Sequence, residues 1–490
     1  MYRNFLRLLM LCIAWLSPPP LVAQTDSLDM FTVIDIAREQ SLPALQAKNT
    51  YLKAYWSFKV FQASLKPGLT LGTTPVSYYR TVTQRYDSEL NQDVFKLQQT
   101  LYHQATLSLS QQVSATGGQF FLESDVGRLQ SFGDQGSANW SVTPVRIGYS
   151  QALLGFNGLK WDKKLRPAEY DLAKRQYTEA LEYAALDALT YFFDLMLAEA
   201  GLALAEGNLM LRDSMLINGK RRHALGTLPL DDLLQLESST LEASMSLAEA
   251  QMNQQQQQRK LAIFLRMDSL QAPLKAPNRL PSAPLSVERA LTAYQAFHPQ
   301  SLSFILQQLE AVRAEEQARK EQHFQANLQA SIGLNQSNPN LNTALGNLLD
   351  QEQVLIGVSI PLLDWGQRKG MVKIATSERA LVAVSIEQAQ SQQQLLVEQT
   401  VLDCRLLRQK ILVNQQTRAL SKQRFDITRQ RFLRGQVDLL KFNLAVQAEN
   451  QARIASLQLL KSYWQTYYRL RSLTLFDFET GKGLGILPTE

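Results

Sequence analysis

Hydrophobic positions in this chain follow two periods, one of two residues and one close to seven, and the switches between them mark its elements. In "FQANLQASIGLN", Phe324, Ala326, Leu328, Ala330, Ile332 and Leu334 take one face, and Gln325, Asn327, Gln329, Ser331, Gly333 and Asn335 take the other. Val354, Ile356, Val358 and Ile360 likewise oppose Gly357 and Ser359, with Leu355 the exception, and Val145, Ile147 and Tyr149 oppose Arg146, Gly148 and Ser150. Side chains alternate across a strand, so these stretches predict β-strands with one apolar face. From Leu165 to Arg221 and from Arg368 to Leu433 the sequence turns to Ala, Leu, Gln, Glu and Arg, with Pro167 near the start as the sole proline. Ile374, Leu381, Leu395 and Leu402 share one heptad phase there, interrupted by Gln388. Such segments predict helices of roughly 85 to 100 Å at 1.5 Å per residue, packed side by side along a narrow stripe.

The elements come in two copies. "RHALGTLPLDDLLQLE" aligns with "RFLRGQVDLLKFNLAV", placing Gly226 on Gly435 at an offset of 435 − 226 = 209. "QALLGFNG" aligns with "IPLLDWGQ" at the same offset, 363 − 154 = 209, which places Phe156 on Trp365. Two matches at one ungapped offset indicate a tandem duplication. Each copy reads as a lead-in helix, strands, a long helix, a glycine turn and a returning helix. The first copy is expected over 24–270, with strands at about 68–155 and a helix pair at about 160–268. A proline-dense linker at 271–285 follows, then the second copy at 286–478, with strands at about 324–363 and helices at about 367–475, and a tail at 479–490. Thr116-Gly117-Gly118 reads as the turn of a further hairpin that the pattern does not place.

Apolar-out, polar-in alternation fits a membrane β-barrel, and a soluble sheet packed on one face gives the same pattern. The N-terminus favours the barrel. Arg3 and Arg7 flank an apolar Phe5–Leu16 core followed by "SPPPLVAQ", the layout of a signal peptide over residues 1–23 and too short for a bilayer span. The later stretch "AALDALTYFFDLMLAEAGLALA" is cut by Asp187, Asp194 and Glu199, which argues against a helical membrane protein. Four to six strands per chain fall short of the roughly eight in the smallest closed barrels, and lipid tolerates no open edge. The chain must therefore assemble with copies of itself.

Composition removes other classes. The formal charge of +6 drops to 6 − 2 = +4 without Arg3 and Arg7, which makes no case for nucleic acid. Cys404 in "VLDCRLLRQ" reads as a small core residue, and Asp231-Asp232 as a helix-start pair. His103, His223, His298 and His323 lack ligand spacing, and no nucleophile or phosphate loop stands out. The expectation is a protein that is not an enzyme and uses no metal or cofactor.

The duplicated strand–long-helix halves, the "IPLLDWGQ" corner and the turns at "LGTLPLDDLLQLE" and "RGQVDLLKFNLAVQAE" resemble the TolC-like outer-membrane efflux family. The segments "YHQATLSLSQQVSATGG" and "QALLGFNGLKWDKK" resemble its Bacteroidetes-type branch. The resemblance implies an α+β membrane protein with the duplicated TolC-like fold. A homotrimer would form a 12-stranded β-barrel in outer-membrane lipid, continued by a long periplasmic α-helical barrel. Phe156, Pro361, Trp365 and Gly366 would turn the chain from barrel to tube. Gly226, Thr227, Leu228, Gly435, Gln436 and Val437 would form the periplasmic tip, where a periplasmic adaptor protein docks and links to an inner-membrane pump. The implied function is the exit duct of a tripartite efflux pump for small toxic compounds or drugs. A type I protein secretion duct and a non-channel exported helical structural protein are the alternatives.

The candidate gate residues implied are Phe432, Asp438, Lys441 and Asp232, with departures from the family's pattern. Its acidic residues six and nine positions after the second-copy glycine are Lys441 and Leu444 here, its tyrosine is Phe432 and its arginine is Val437. Asp232 keeps the first-copy aspartate. The expectation is a gate closed by apolar packing around Phe432, with plain interhelix packing as the other reading of that residue.

Overall fold

The computed structural model describes residues 28–88, 91–133, 136–268, 270, 272–277, 279–434 and 436–485. The signal segment over 1–23, Gly435 and the end of the tail lie outside the described residues. Two lead-in helices open the chain: α1 (Met30–Gln40), where the Asp29 side chain accepts from Thr32 N at 2.7 Å, and α2 (Leu42–Ser64), capped by Ser41 with Pro43 in its first turn. Each cap satisfies an amide that the first helical turn leaves open.

Six strands then form one antiparallel sheet. They are β1 (Gly68–Asp87), β2 (Gln92–Val113), β3 (Gly118–Phe132) and β4 (Ser137–Ala152), with β5 (Gln325–Asn338) and β6 (Leu349–Ser359) from the second half. Their spatial order equals their chain order, and β4 meets β5 across the duplication with Ile147 opposite Ile332. A twelve-stranded wall built from three chains needs four strands from each. This chain lays six in one hydrogen-bonded sheet, at the upper end of the four to six expected per chain and two more than such a wall needs.

The duplication shows where the surplus comes from. The long helices α3 (Gly158–Ala224) and α4 (Leu230–Leu265) have 67 and 36 residues. In the second half, α5 (Val287–Phe297) and α6 (Pro299–Gln322) lead in, the short α7 (Leu341–Gly346) joins β5 to β6, and α8 (Gln367–Leu433) and α9 (Leu439–Thr474) again have 67 and 36. The long helices start 367 − 158 = 209 and 439 − 230 = 209 residues apart. The lead-in helices start 287 − 30 = 257 and 299 − 42 = 257 apart. The first copy thus holds 257 − 209 = 48 extra residues between lead-in and long helix. At the 209 offset β3–β4 overlay β5–β6, so β1–β2 is the inserted hairpin, and the Thr116–Gly118 turn joins it to the shared pair, with Gly117 at φ +77.

Helices of 67 residues are about 100 Å long. They stand side by side in the order α4, α3, α9, α8, with α2 against α3 and α6 against α8. Polar rungs join α3 to the antiparallel α9: Gln465 Nε2 donates to Thr190 Oγ1 at 2.8 Å, Asn450 Nδ2 to Asn208 Oδ1 at 3.2 Å and Arg212 Nη1 to Asn443 Oδ1 at 2.7 Å. Partway along, α1, α5 and the C-terminal Phe476–Phe478 segment wrap the helices and bury Val33, Ile34, Leu189, Phe192, Phe193, Cys404 and Tyr463. Helix α3 contains a window apolar enough by composition to cross a bilayer, but its Ala185, Ala188, Leu189, Phe192 and Phe193 form this belt's core.

Candidate functional site

The sheet register aligns the apolar faces of the strands into one row. Leu71 lies opposite Leu107, Leu109 opposite Leu122, Leu122 opposite Ile147, Ile147 opposite Ile332, and Leu328 opposite Ile356. The row crosses all six strands and is open along its length, with Leu71 68%, Ile147 52% and Ile356 60% exposed. The opposite face is polar and internally bonded. Asp125 accepts from Gln104 at 2.6 Å and Thr106 at 2.5 Å, and Arg146 pairs with Glu123. A Cβ at Gly148 would run into the Phe121 ring, so only glycine lets that aromatic lie flat on the sheet. An open apolar band on one face and a hydrogen-bonded polar network on the other are the two faces that the wall of a membrane β-barrel needs.

At the wall's lower end the chain turns into the helices twice, by different means. In the second copy Pro361, lacking an N–H, follows the end of β6, and Trp365 (φ +53) and Gly366 (φ +86) take left-handed backbone. Asp364 accepts from Gly366 N at 3.0 Å and Arg368 N at 3.3 Å, and these backbone amides, Gly366 foremost, hold its carboxyl below the usual carboxylate range. Leu362 and Trp365 protrude, 92% and 90% exposed, as an apolar girdle at the foot of the wall. In the first copy Phe156 is half-buried, and Asn157 accepts from Lys160 N at 3.0 Å while donating to Ser114 O at 3.0 Å. That second bond ties the start of α3 to the turn after the inserted hairpin.

The far ends of the helices bring most of the tip residues together. Gly226 has φ +70, and its N–H donates to His223 O at 2.9 Å; Thr227 donates to Arg222 O at 2.9 Å. Leu228, Asp232, Phe432, Gln436, Val437, Asp438 and Lys441 line one cleft of about 730 Å³ between the two turns. Behind it Met215, Leu236, Phe442 and Val446 are buried, with Phe425 and Phe432 packed on them; the Phe432 and Phe442 rings lie 4.8 Å apart. Phe432 thus sits in the packing between α8 and α9. Asp438 serves locally as the N-cap of α9, accepting from Lys441 N at 2.8 Å, and pairs with Lys441 Nζ at 3.6 Å. Asp231 and Asp232 occupy the first turn of α4, where exposed amides favour negative charge.

Two features escape a reading of the sequence. Phe442 is the buried centre of the tip cluster, and its one sequence cue is an aromatic three residues inside a capped helix. Glu182, fully buried, accepts from Arg471 Nε at 3.1 Å and also bonds Arg38, joining α1, α3 and α9. Its cue is a charge on the helix face of Ala185 and Leu189. Burial, the largest single influence, lowers the Arg471 pKa, but the charge and hydrogen bonds of Glu182, with Tyr468 and Asp477, together raise it above the usual value. Cys404 is buried and its thiol is pushed up to about 12, first by that burial and then by Asp403. His298 caps α6 by accepting from Gln300 N at 3.0 Å. Among the described residues no three His, Cys, Asp or Glu side chains are grouped to hold a metal.

Residues 299–474 match the sequence profile of the outer membrane efflux protein family. No curated protein matches the chain. Among solved structures, the Campylobacter jejuni CmeC outer membrane channel superposes with a TM-score of 0.65 at 14% identity, covering 92% of this chain and 86% of that one. The outer membrane protein VceC from Vibrio cholerae gives 0.63 at 14% identity, over 93% and 96%. The open state of the Neisseria gonorrhoeae MtrE outer membrane channel gives 0.61 at 14% identity, over 94% and 93%.

Proposed function

From a chain whose residues 299–474 match the outer membrane efflux protein family and which superposes over 92–93% of its length on TolC-like channels, we propose that it is the exit duct of an efflux assembly. Three copies form a barrel in the outer membrane and a twelve-helix tube in the periplasm. The tip, from Gly226 to Leu228 and at Gln436 and Val437, receives a periplasmic adaptor that joins the duct to an inner-membrane pump. Small toxic compounds or drugs pass down the lumen, and the pump supplies the energy. The corners at Phe156 and at Pro361–Gly366 carry the wall into the tube, and the cluster around Phe432 and Phe442 holds the tip closed. Asp232, Asp438 and Lys441 set the charge of its mouth.

One observation carries this reading: each chain is unfinished along both sides. The sheet ends in two edges, β1 and β6, under an apolar band, and hydrocarbon has no water to satisfy their backbone groups. The outer helices are unfinished in the same way. On α4, Leu234, Leu241, Met245 and Met252 are exposed at helical spacing, and on α8, Ile374, Leu381, Leu395 and Leu402. A second copy set beside the first covers one edge of each kind, and a ring of copies covers them all.

The test is extraction of the mature chain from outer membranes, native mass in detergent, and conductance in planar bilayers. Three copies and discrete channel steps are expected. A water-soluble single copy, or detergent-bound trimers that pass no current at any voltage even when Phe442→Ala loosens the tip, would overturn the proposal.

A further inference from the structure

The inserted hairpin changes the size of the wall. We propose that β6 of one copy pairs antiparallel with β1 of the next, so that three copies close an eighteen-stranded barrel as wide as the tube beneath it. This rests on the three-copy duct described above and adds the closing seam and the resulting bore.

Three observations support it. First, β1–β2 is an integral part of the sheet. An unbroken ladder from Gln99–Phe132 to Val113–Gly118 joins β2 to β3, and Leu69, Leu71, Leu107 and Leu109 continue the outward apolar row of the shared strands. A hairpin folded into the lumen or lying over the outside would break that row. Second, the directions agree. Six alternating strands leave β6 descending where the next copy's β1 ascends, so the seam repeats the antiparallel pairing found everywhere else in the sheet. Pro75 sits at a bulge between Thr74 and Ser77 and confines the new ladder to Gly68–Thr74. Seven residues at about 3.4 Å each rise about 24 Å, close to the roughly 25 Å apolar band of an outer-membrane barrel. On β6, Val354, Ile356 and Val358 supply the matching outward residues.

Third, the widths agree. Six strands about 4.8 Å apart, tilted about 40°, occupy about 38 Å of wall. The four helices that meet its foot, α2, α3, α6 and α8 in that order, about 9 Å apart, occupy about 36 Å, whereas four strands would cover only about 25 Å. A wall and tube of equal width per chain meet without a taper. In a three-copy ring the bore between backbones is then about 36 Å, against about 24 Å for twelve strands. The narrowest point for cargo lies at the helical tip and not in the membrane.

Cysteine pairs test the seam, because Cys404 is buried with a protonated thiol and gives no background. Leu71→Cys is combined in one gene with Val354→Cys, Ile356→Cys or Val358→Cys and oxidised in outer membranes. Covalent dimers and trimers on non-reducing gels are expected from at least one combination. A competing pair, Leu122→Cys with Ile356→Cys, reports a twelve-stranded ring in which the hairpin is displaced and β6 meets the next copy's β3. Cross-linking of that pair in place of the first set, or an axial electron-microscopy projection with a backbone ring near 24 Å, overturns the proposal and leaves the duct standing. Native mass is measured on the same samples, and a two-copy or single-copy mass overturns the duct and the seam together.

Discussion

Removing the Phe442 ring is the most direct probe of what holds the tip together. Phe442 is 1% exposed and touches both helical hairpins, through Met215 and Leu236 on one side and Phe425 and Phe432 on the other. Phe-to-Ala changes at buried sites cost about 3–5 kcal/mol, and this site belongs at the low end because the adjoining cleft lets neighbours relax into the space. Two ring contacts are lost as well, at 4.8 and 6.3 Å between centroids. The other rung near the tip, Arg212 to Asn443, remains. A net loss of about 3 kcal/mol corresponds to roughly 150-fold more frequent opening of the tip. Phe432→Ala removes a half-buried ring from the rim of the same cluster and should give about half that loss. Hydrogen exchange followed by mass spectrometry reads both variants in peptides spanning residues 225–240 and 436–446, and planar bilayers read the open probability. Exchange at the tip within threefold of the parent for Phe442→Ala would refute the reasoning, as would a larger effect from Phe432→Ala.

Three further outcomes follow from the geometry. Glu182→Gln leaves two nearly buried guanidinium groups without their shared carboxylate, so α1 should loosen by about 3 kcal/mol, at the low end because Arg471 keeps Asp477 at 3.3 Å; unchanged exchange of α1 amides, or failure of Arg38→Met/Glu182→Leu/Arg471→Met to restore protection, counts against it. Asp364 has a depressed pKa, so its hold on the start of α8 is present above the ordinary value of 3.8 and disappears as pH falls through the lowered value. Asp364→Ala should therefore speed exchange at Gly366 and Arg368 at neutral pH and match the parent in acid, whereas a difference that persists in acid would point elsewhere. Cys404, with its thiol at about 12, should resist maleimide at pH 8 in the folded chain and label fully on denaturation; rapid labelling of the folded protein would contradict its placement in the belt.

The helices were legible from sequence because their cause is local. Alanine, leucine, glutamine and other helix formers dominate, with Pro167 near the start and only isolated glycines at Gly201, Gly207, Gly219 and Gly370, and the equal lengths of α3 and α8 make one offset serve two distant matches. The strands β4, β5 and β6 were legible because lipid on one face and water on the other impose a period of two. The inserted hairpin resisted for the same reason in reverse. From Thr81, β1 and the facing part of β2 rise beyond the third strand, and the sequence "TVTQRYD" has polar residues at both odd and even positions. Where water meets both sides, nothing selects alternation. The count of strands therefore had to come from the sheet.

At the tip the limit was different. Asp438 carries a charge that reads as gate chemistry, and its position before α9 also makes it the N-cap, a role fixed by backbone geometry. Phe442 and Glu182 act through partners between 10 and almost 300 residues away along the chain, and no spacing rule links Glu182 to Arg471. Single-sequence periodicity reports which side of an element is apolar; it does not report which distant side chain completes a contact.

The identical lengths of the paired helices have a consequence for how such a molecule can change. Deleting one residue from α3 would rotate everything beyond the cut by about 100° and lift its end by about 1.5 Å, turning the stripe away from its neighbour while α8 stayed put. Every later rung would then miss. Adding a hairpin to the sheet shifts nothing along the axis and only lengthens the circumference. Descendants of this chain can vary freely in girth, whereas their reach is locked.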